Sequence, residues 1–314
     1  MEKNIYFPSF GTSCGFSNSA FQFLFMEHLK KLFPVNIYLG QFQNGQLPTA
    51  ALFPVELFEI YNYGQEIQPD ARANELSLDR LDGFNNDIAT INGFVNGTDF
   101  QTLEISGYFQ YHTALINSCG LRETFNETFG TSGEESTMNK FQKLLNGNQQ
   151  AIGDFFQEKT LIVCHIRLGD YKVWEVHDKG GLFFTNDIPS LVDNIKDFIA
   201  FNYIQNAEVY IASDNPEECI PIFSEKGLNP LSVNSFFPDL DIHSGTALMF
   251  DLSVLSMADV FYGSNSSFSV FGSMLNQKQV QCYRPSPVDK SMVGFMPWNT
   301  QVLYKQCDTY PCSQ

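Results

Sequence analysis

The 314-residue sequence is poor in charged residues, and basic residues are the scarcer kind. Only 17% of its residues are charged, and 18 Lys and Arg stand against 35 Asp and Glu, which gives a formal net charge of -17 at pH 7. Such an excess of negative charge repels a phosphate backbone, so it argues against nucleic acid as a partner. An anionic ligand would have to be bound by a local group of cationic or N–H donors.

The sequence also lacks long apolar runs and paired cysteines. No segment reaches the roughly 18 apolar residues of a membrane-spanning helix, and the first ten residues lack the pattern of a secretion signal, so we expect no membrane span. The seven cysteines are odd in number and show no CxxC spacing. This argues against a zinc site or a disulfide framework and favours free thiols in the reducing cytoplasm.

Acidic residues in the spacing of a nucleotide-binding metal site are missing as well. The nearest approach is Asp239 with Asp241, but these follow Pro238 and favour a turn. The histidines show no common spacing with carboxylates. We therefore predict neither a metal ion nor a cofactor.

What the sequence does contain is the composition of a packed globular protein. Hydrophobic residues make up 43% of the chain and aromatic residues 15%, which suits sheets covered by helices. A single hydrophobic core seldom grows beyond about 250–300 residues, so a chain of this length is expected to form two domains.

The second half of the chain alternates between strand and helix patterns. Such alternation is typical of a parallel, doubly wound α/β sheet. The predicted strands span residues 160–164, 208–212 and 260–262, and the predicted helices span residues 188–201, 217–225 and 247–257, with a further helix carrying Phe268, Phe271 and Leu275.

The first half is clearly patterned only near its start. Residues 4–7 predict a strand, 11–18 a loop, 21–32 a helix and 35–39 the next strand. Residues 41–97 are polar and irregular, and no elements are predicted there. A stretch rich in Gly, Ser and Asn surrounds one short predicted helix, 138–145, and places the domain boundary near residue 155. The predicted domains are therefore 1–155 and 156–314.

The segment His-Ile-Arg-Leu-Gly-Asp-Tyr at residues 165–171 is the strongest candidate for a binding site. It follows a strand with a buried pattern, and ligands bind at the carboxyl ends of strands in open α/β sheets. An arginine placed there can fork two hydrogen bonds onto a phosphate without a metal ion. A salt bridge between this arginine and an aspartate, fixing the loop, is an equally supported interpretation of the residue types alone.

Other polar groups near predicted strand ends also need partners. Residues 263–267 join a strand to a helix, so their N–H groups and hydroxyls form an anion site or a serine-rich helix cap. Asp251 lies among leucines of a predicted helix, where a carboxylate requires a partner. His165 is either a ligand contact or a packed structural histidine.

Five segments in the same order resemble motifs of the α-1,2-fucosyltransferases. Residues 165–171 are similar to the family signature, which is shared more loosely by α-1,6- and protein O-fucosyltransferases. Residues 15–23 resemble the family's N-terminal loop and helix, and Gly-Tyr-Phe-Gln at 107–110 matches a family motif. Residues 209–215 resemble the second strand-end motif, and Asp251 with residues 264–269 resembles the closing block. The resemblance covers nearly the whole chain.

This resemblance implies a fold and a reaction. The fold would be GT-B-like α/β, with two Rossmann-like domains facing a central cleft. GDP would be bound by the second domain, and the first would be the acceptor side, with the acceptor surface in residues 41–97. The protein would be a metal-independent, inverting glycosyltransferase that moves L-fucose from GDP-fucose to an oligosaccharide acceptor, with α-1,2 linkage.

The resemblance also implies roles for individual residues. Arg167 would contact the β-phosphate, and Asp251 would accept hydrogen bonds from guanine. Glu175 has the spacing of the catalytic base of α-1,6 enzymes, although it fits a solvated loop acid equally well, and Asp170 belongs to the signature itself. The predicted donor site comprises Gly15, Asn18, His165, Arg167, Asp214, Asp251, Ser264, Asn265, Ser266, Ser267 and Phe268.

The chain departs from the family pattern at three places. Leu168 replaces a second arginine, Ser17 replaces a glycine of the first loop, and Val270 with Phe271 replaces a pair of tryptophans. Two alternatives therefore stay open: the same fold could use another nucleotide sugar, or the protein could be a catalytically inactive glycan-binding protein.

Overall fold

The computed structural model describes two compact units. The described residues are 3–8, 10, 15–40, 67, 69–72, 83–97, 99–106, 113, 120–129, 139–169, 171, 187–276, 278, 280–286 and 291–303. One unit extends to Leu144 and also contains Trp298–Val302, and the other runs from Leu145 to Pro297. Each unit has one β-sheet accompanied by helices, which confirms the predicted α/β class.

The first unit has a four-stranded parallel sheet in the order β2-β1-β4-β3. Its elements are β1 (Lys3–Phe7), α1 (Phe16–Leu32), β2 (Val35–Leu39), β3 (Ala71–Arg72), α2 (Gly83–Gly97), β4 (Thr102–Glu104) and α3 (Leu121–Phe129). The predicted strand–helix–strand start is confirmed, although α1 begins at Phe16, five residues before the predicted start at residue 21. Helix α1 is buried on nearly all sides, and its buried residues include the polar Ser17, Gln22 and His28 as well as apolar side chains.

The second unit has a five-stranded sheet in the order β6-β5-β7-β8-β9, in which only β9 is antiparallel to its neighbour. Its strands are β5 (Thr160–Ile166), β6 (Ala207–Ser213), β7 (Val260–Tyr262), β8 (Gln281–Ser286) and β9 (Ser291–Phe295). Helix α4 (Asn139–Phe155) spans the division between the units, and the helices after it are α5 (Ile188–Phe201), α6 (Pro216–Glu225), α7 (Val233–Phe236), α8 (Gly245–Leu255) and α9 (Ser267–Leu275).

Strand β5 is an interior strand of this sheet, and apolar clusters cover both of its faces. Leu161 and Val163 contribute to one cluster, whereas Ile162 and Cys164 contribute to the other. A parallel strand buried on both faces reads as a continuous apolar run, which is why this strand was predictable. The thiols of Cys164, Cys219 and Cys282 are buried and form no disulfide.

The order of the strands reverses at β5. From β5 the chain first adds β6 on one side and then returns to add β7 on the other side. In open α/β sheets, ligands bind at the carboxyl edge where the strand order reverses. That edge carries Arg167 directly after β5 and Gly263 with Ser264 directly after β7, so the topology places the predicted motif at the switch point.

One helix was predicted too short, and two strands of this unit were missed. Helix α4 continues to Phe155, through Gly147 and Gly153, because Leu145 and Ile152 are buried at helical spacing and tertiary packing outweighs the low helix propensity of glycine. Strands β8 and β9 were not predicted from the sequence. Among the described residues, no helix combines the length and the hydropathy needed to cross a membrane.

Candidate active site

Asp214, which follows β6, organises the turn that carries Arg167. Its carboxylate oxygens accept the backbone N–H groups of Leu168 (2.9 Å) and Gly169 (3.1 Å), and Oδ2 lies 3.3 Å from Arg167 Nε. A Cβ atom on Gly169 would lie 2.7 Å from that same oxygen, so the turn closes because residue 169 has no side chain. An Arg–Asp ion pair therefore exists, and the sequence-predicted substrate contact Asp214 is its acidic partner.

Arg167 itself remains accessible while its orientation is fixed. Its side chain is 40% exposed, whereas the side chain of Asp214 is only 14% exposed. Leu168, which stands where the resembling family has a second arginine, is buried in the apolar cluster beside β5. The local chain thus directs one arginine, not two, to the carboxyl edge of the sheet.

The turn held by Asp214 gives a stability prediction. Asp214→Ala should lower the free energy of unfolding by about 1–3 kcal/mol, because two backbone N–H groups lose their acceptor. Urea unfolding measures the change, and Asp193→Ala is the matched control, since Asp193 makes an exposed ion pair with Lys226 that is worth little. Equal losses for the two variants would contradict this role for Asp214.

Ser264 joins the exits of β5 and β7. Its backbone N–H and its hydroxyl both donate to the carbonyl oxygen of His165, at 2.9 and 3.0 Å, and the hydroxyl accepts the N–H of Arg167 at 2.9 Å. The hydroxyl, predicted as a donor for phosphate, is therefore engaged with the main chain. Its role in this structure is to hold the two strand ends together.

The loop between β7 and α9 caps the helix and is tied to the Arg167 segment. The side chain of Ser266 accepts the N–H of Phe268 at 3.2 Å, which is a helix N-cap, and Ser267 begins α9. The hydroxyl of Tyr171 donates to the carbonyl oxygen of Asn265 at 2.8 Å, with Tyr171 and Asn265 both buried. The positive end of the α9 dipole thus lies at the same sheet edge as Arg167.

His165, the last but one residue of β5, is buried and neutral. Its Nδ1 lies 2.7 Å from Ser269 Oγ, and its ring packs against Phe268 with the centroids 4.8 Å apart. Burial, followed by the positive charge of Arg167, lowers the pKa of His165 to about 3. The imidazole therefore contributes directed hydrogen bonding rather than charge.

Asp251 on α8 has a protein partner that the sequence did not identify. The hydroxyl of Tyr210, a fully buried residue of β6, donates to Asp251 Oδ1 at 2.6 Å. Burial raises the pKa of Asp251 to about 7, and the hydrogen bond from Tyr210 acts in the opposite direction. Tyr210 thus fixes one carboxylate oxygen of Asp251. Asp251 is half-buried, and its second carboxylate oxygen can still accept a hydrogen bond.

The remaining predicted site residues lie elsewhere or outside the described residues. Gly15 is the N-cap residue of α1 in the first unit, and its carbonyl oxygen accepts the N–H of Asn18 at 3.1 Å. Asp170, Glu175 and the 107–110 motif lie outside the described residues, so their roles stay predictions. Within the described residues, no group of three or more His, Cys, Asp or Glu could hold a metal ion.

A small pocket lies at the end of β5, where Arg167 and Ser264 meet residues of other strands. It is lined by His165, Arg167, Leu168, Leu191, Tyr262, Ser264, Pro285 and Met292, among others. Pro285 and Met292 come from β8 and β9, which sequence reasoning missed. Ser269 and Tyr210 lie within segments that resembled family motifs, but only the fold shows which side chains they contact.

Comparisons with known proteins agree on the fold. No protein-family model and no curated protein matches the sequence. Fucosyltransferase NodZ from Bradyrhizobium matches at a TM-score of 0.53 and 11% identity, over 94% of this chain and 99% of that chain. NodZ α-1,6-fucosyltransferase co-crystallised with GDP matches at 0.52 and 10% identity, over 94% and 98%. At such identities the likeness concerns architecture, and the predicted GT-B-like α/β fold is confirmed.

Proposed function

We propose that the protein is a glycosyltransferase that moves L-fucose from GDP-fucose to a hydroxyl group of an oligosaccharide, with α-1,2 linkage. The observation that carries this proposal is the position of Arg167 at the switch point of the second sheet, oriented by Asp214 and partly exposed. NodZ, whose fold is similar, has been crystallised with GDP and soaked with GDP-fucose. The family resemblance of the motifs supports the same donor.

The proposed reaction is a displacement with inversion at the anomeric carbon. An acceptor oxygen forms a bond to C1 of fucose while the bond from C1 to the β-phosphate oxygen breaks, and its electron pair leaves with GDP. Negative charge therefore grows on the diphosphate. Arg167 and the N-terminal end of α9 would stabilise that charge, because both place positive potential at one sheet edge.

The proton of the acceptor hydroxyl needs a base, for which Glu175 and Asp170 are the proposed candidates. Glu175→Gln and Asp170→Asn should be compared through the pH–rate profile of the purified variants. The variant that lacks the base is expected to lose the acidic limb of the profile and to lower turnover far more than donor affinity. If both variants keep that limb, neither side chain is the base.

The two predicted domains would have different roles in this proposal. Residues 156–314 would bind the donor, with Gly15 and Asn18 of the first domain also contacting it, and residues 1–155 would otherwise carry the acceptor side. Deleting one domain does not test this division of roles, because the deletion would also remove part of the hydrophobic core. Exchange of the acceptor in the transfer assay, with the donor held constant, tests the acceptor class directly.

Release of GDP from GDP-fucose, measured with and without acceptor glycans, tests the proposal as a whole. We expect release that depends on the acceptor and yields an α-1,2-linked product. The same assay with other GDP- and UDP-sugars detects a different donor. Glycan or GDP binding without any release would instead identify the protein as catalytically inactive.

Activity should persist in excess chelator. The proposed charge stabilisation comes from a guanidinium and a helix terminus, which can replace a cation at a diphosphate. The measurement is the initial rate of GDP release before and after dialysis against EDTA, with a Mn²⁺-dependent transferase as the assay control. Loss of activity that Mn²⁺ or Mg²⁺ restores would disprove metal independence.

A further inference from the structure

The hydroxyl of Ser269 contacts the imidazole of His165 across 104 positions of sequence. Ser269 lies in the first turn of α9, and its Oγ is 2.7 Å from His165 Nδ1. The two residues are almost completely buried, with 1% and 7% of their surfaces exposed. A hydrogen bond in such a setting fixes both side chains, because neither can turn to water instead.

Counting hydrogens settles which atom donates. In the described part of the chain, the hydroxyl of Ser269 forms its hydrogen bond with His165 Nδ1. If Nδ1 carried the ring proton, the hydroxyl would accept it, and its own proton would be buried without an acceptor, which costs free energy. If the hydroxyl donates to Nδ1, both groups are satisfied. The ring proton then sits on Nε2.

Packing around Ser269 fixes the position of the hydroxyl. Gly263, at the exit of β7, lies against it so closely that a Cβ atom there would be 2.9 Å from both Cβ and Oγ of Ser269. Phe268 also packs against the ring of His165, with the two ring centroids 4.8 Å apart. The serine, the glycine and the phenylalanine thus leave the imidazole one orientation.

His165 lies near the carboxyl end of β5, two positions before Arg167. Its imidazole contacts Ser269 and Phe268, so it lies beside the N-terminal end of α9. Its carbonyl oxygen and its Nδ1 are both engaged within the protein, the first by Ser264 and the second by Ser269. The ring nitrogen left for a ligand is therefore Nε2, carrying a proton and no charge.

We propose that Ser269 is a positioning residue of the donor site: it holds His165 as the Nε2–H tautomer, so that Nε2–H donates to an oxygen of the bound nucleotide diphosphate. This inference rests on the proposed function, which supplies the diphosphate. Without the serine, the ring can place its proton on Nδ1 and present a lone pair to a phosphate oxygen, which repels it. The serine would thus decide whether the histidine attracts or repels the ligand.

The experiment measures the tautomer and the ligand affinity separately. Imidazole ¹⁵N NMR of the ligand-free protein reports which ring nitrogen of His165 is protonated, with the resonance assigned by its absence in His165→Gln. Titration calorimetry reports the affinity for GDP. Both are measured for the wild type, for Ser269→Ala and for Ser269→Thr, which keeps the hydroxyl. Ser273→Ala is the matched control, since Ser273 is buried on the same helix but donates to the carbonyl oxygen of Val270.

We expect the Nε2–H tautomer in the wild type and in Ser273→Ala, and a population of the Nδ1–H tautomer in Ser269→Ala. GDP affinity should fall about three- to tenfold in Ser269→Ala, which is the loss expected when one neutral hydrogen bond is removed. Ser269→Thr should restore the affinity. An Nδ1–H tautomer in the wild type overturns the inference even if Ser269→Ala fails to fold. Tight GDP binding by that wild type would leave the proposed function standing, whereas no GDP binding at all would remove the proposed function itself.

Discussion

Replacing Arg167 by Ala is expected to abolish most of the transfer activity while leaving the protein folded. The loss should be about 3–4 kcal/mol of transition-state stabilisation, a hundredfold to a thousandfold in kcat, by analogy with removed oxyanion donors. The physical reason is that negative charge grows on the β-phosphate as the bond to fucose breaks. A guanidinium held by Asp214 at 3.3 Å is oriented before the reaction, so it need not reorganise during it.

Two further variants make this result specific. Arg167→Lys keeps the positive charge but not the planar fork, so its activity should lie between those of the wild type and Arg167→Ala. Lys226→Ala removes a cation from an exposed ion pair of the same unit and should leave turnover unchanged. Purified variants are compared by kcat and by thermal unfolding. Near-normal turnover in a folded Arg167→Ala protein would refute the role given to Arg167.

Asp251 is expected to decide which nucleotide binds. Its carboxylate can accept two hydrogen bonds from the N1–H and N2–H₂ edge of guanine, an edge that adenine and uracil do not present. Asp251→Asn places a donor against a donor and should cost about 1–3 kcal/mol, or roughly tenfold to a hundredfold in GDP affinity. GDP should therefore raise the melting temperature of the wild type more than ADP or UDP does, and the variant should lose that preference.

The same carboxylate gives the nucleotide preference a pH dependence. Burial raises the pKa of Asp251 to about 7, and only the ionised form accepts two hydrogen bonds. GDP affinity should thus be full above neutral pH and should fall as the pH drops through about 7, by up to about tenfold for each further pH unit. Tyr210→Phe should move this midpoint upward, because the tyrosine hydrogen bond lowers the pKa.

Calorimetric titration with GDP between pH 5 and pH 9 measures both effects. Asp251→Asn serves as the control, since its affinity should not change with Asp251 ionisation. Equal stabilisation by GDP, ADP and UDP, or a GDP preference that survives in Asp251→Asn, would contradict the assignment of Asp251 to guanine. It would weaken the choice of GDP-fucose as the donor too.

The sequence by itself determined the elements whose patterns are local, and the tertiary structure decided which side chains meet. Strands β2 and β7 and helix α5 were predicted with their observed bounds. Their apolar residues follow the spacing of a buried strand or of an amphipathic helix, and this spacing is visible in the local sequence. The placement of residues 165–171 at a strand's carboxyl end followed for the same reason. The structure then assigned Asp214 to the turn, Tyr210 to Asp251 and Ser269 to His165, pairs separated by 45, 41 and 104 positions. Such contacts depend on how strands and helices pack, and packing of distant segments leaves no period in the sequence, which is also why β8 and β9 escaped prediction. The full length of α4 escaped prediction because Gly147 and Gly153 lower its helix propensity.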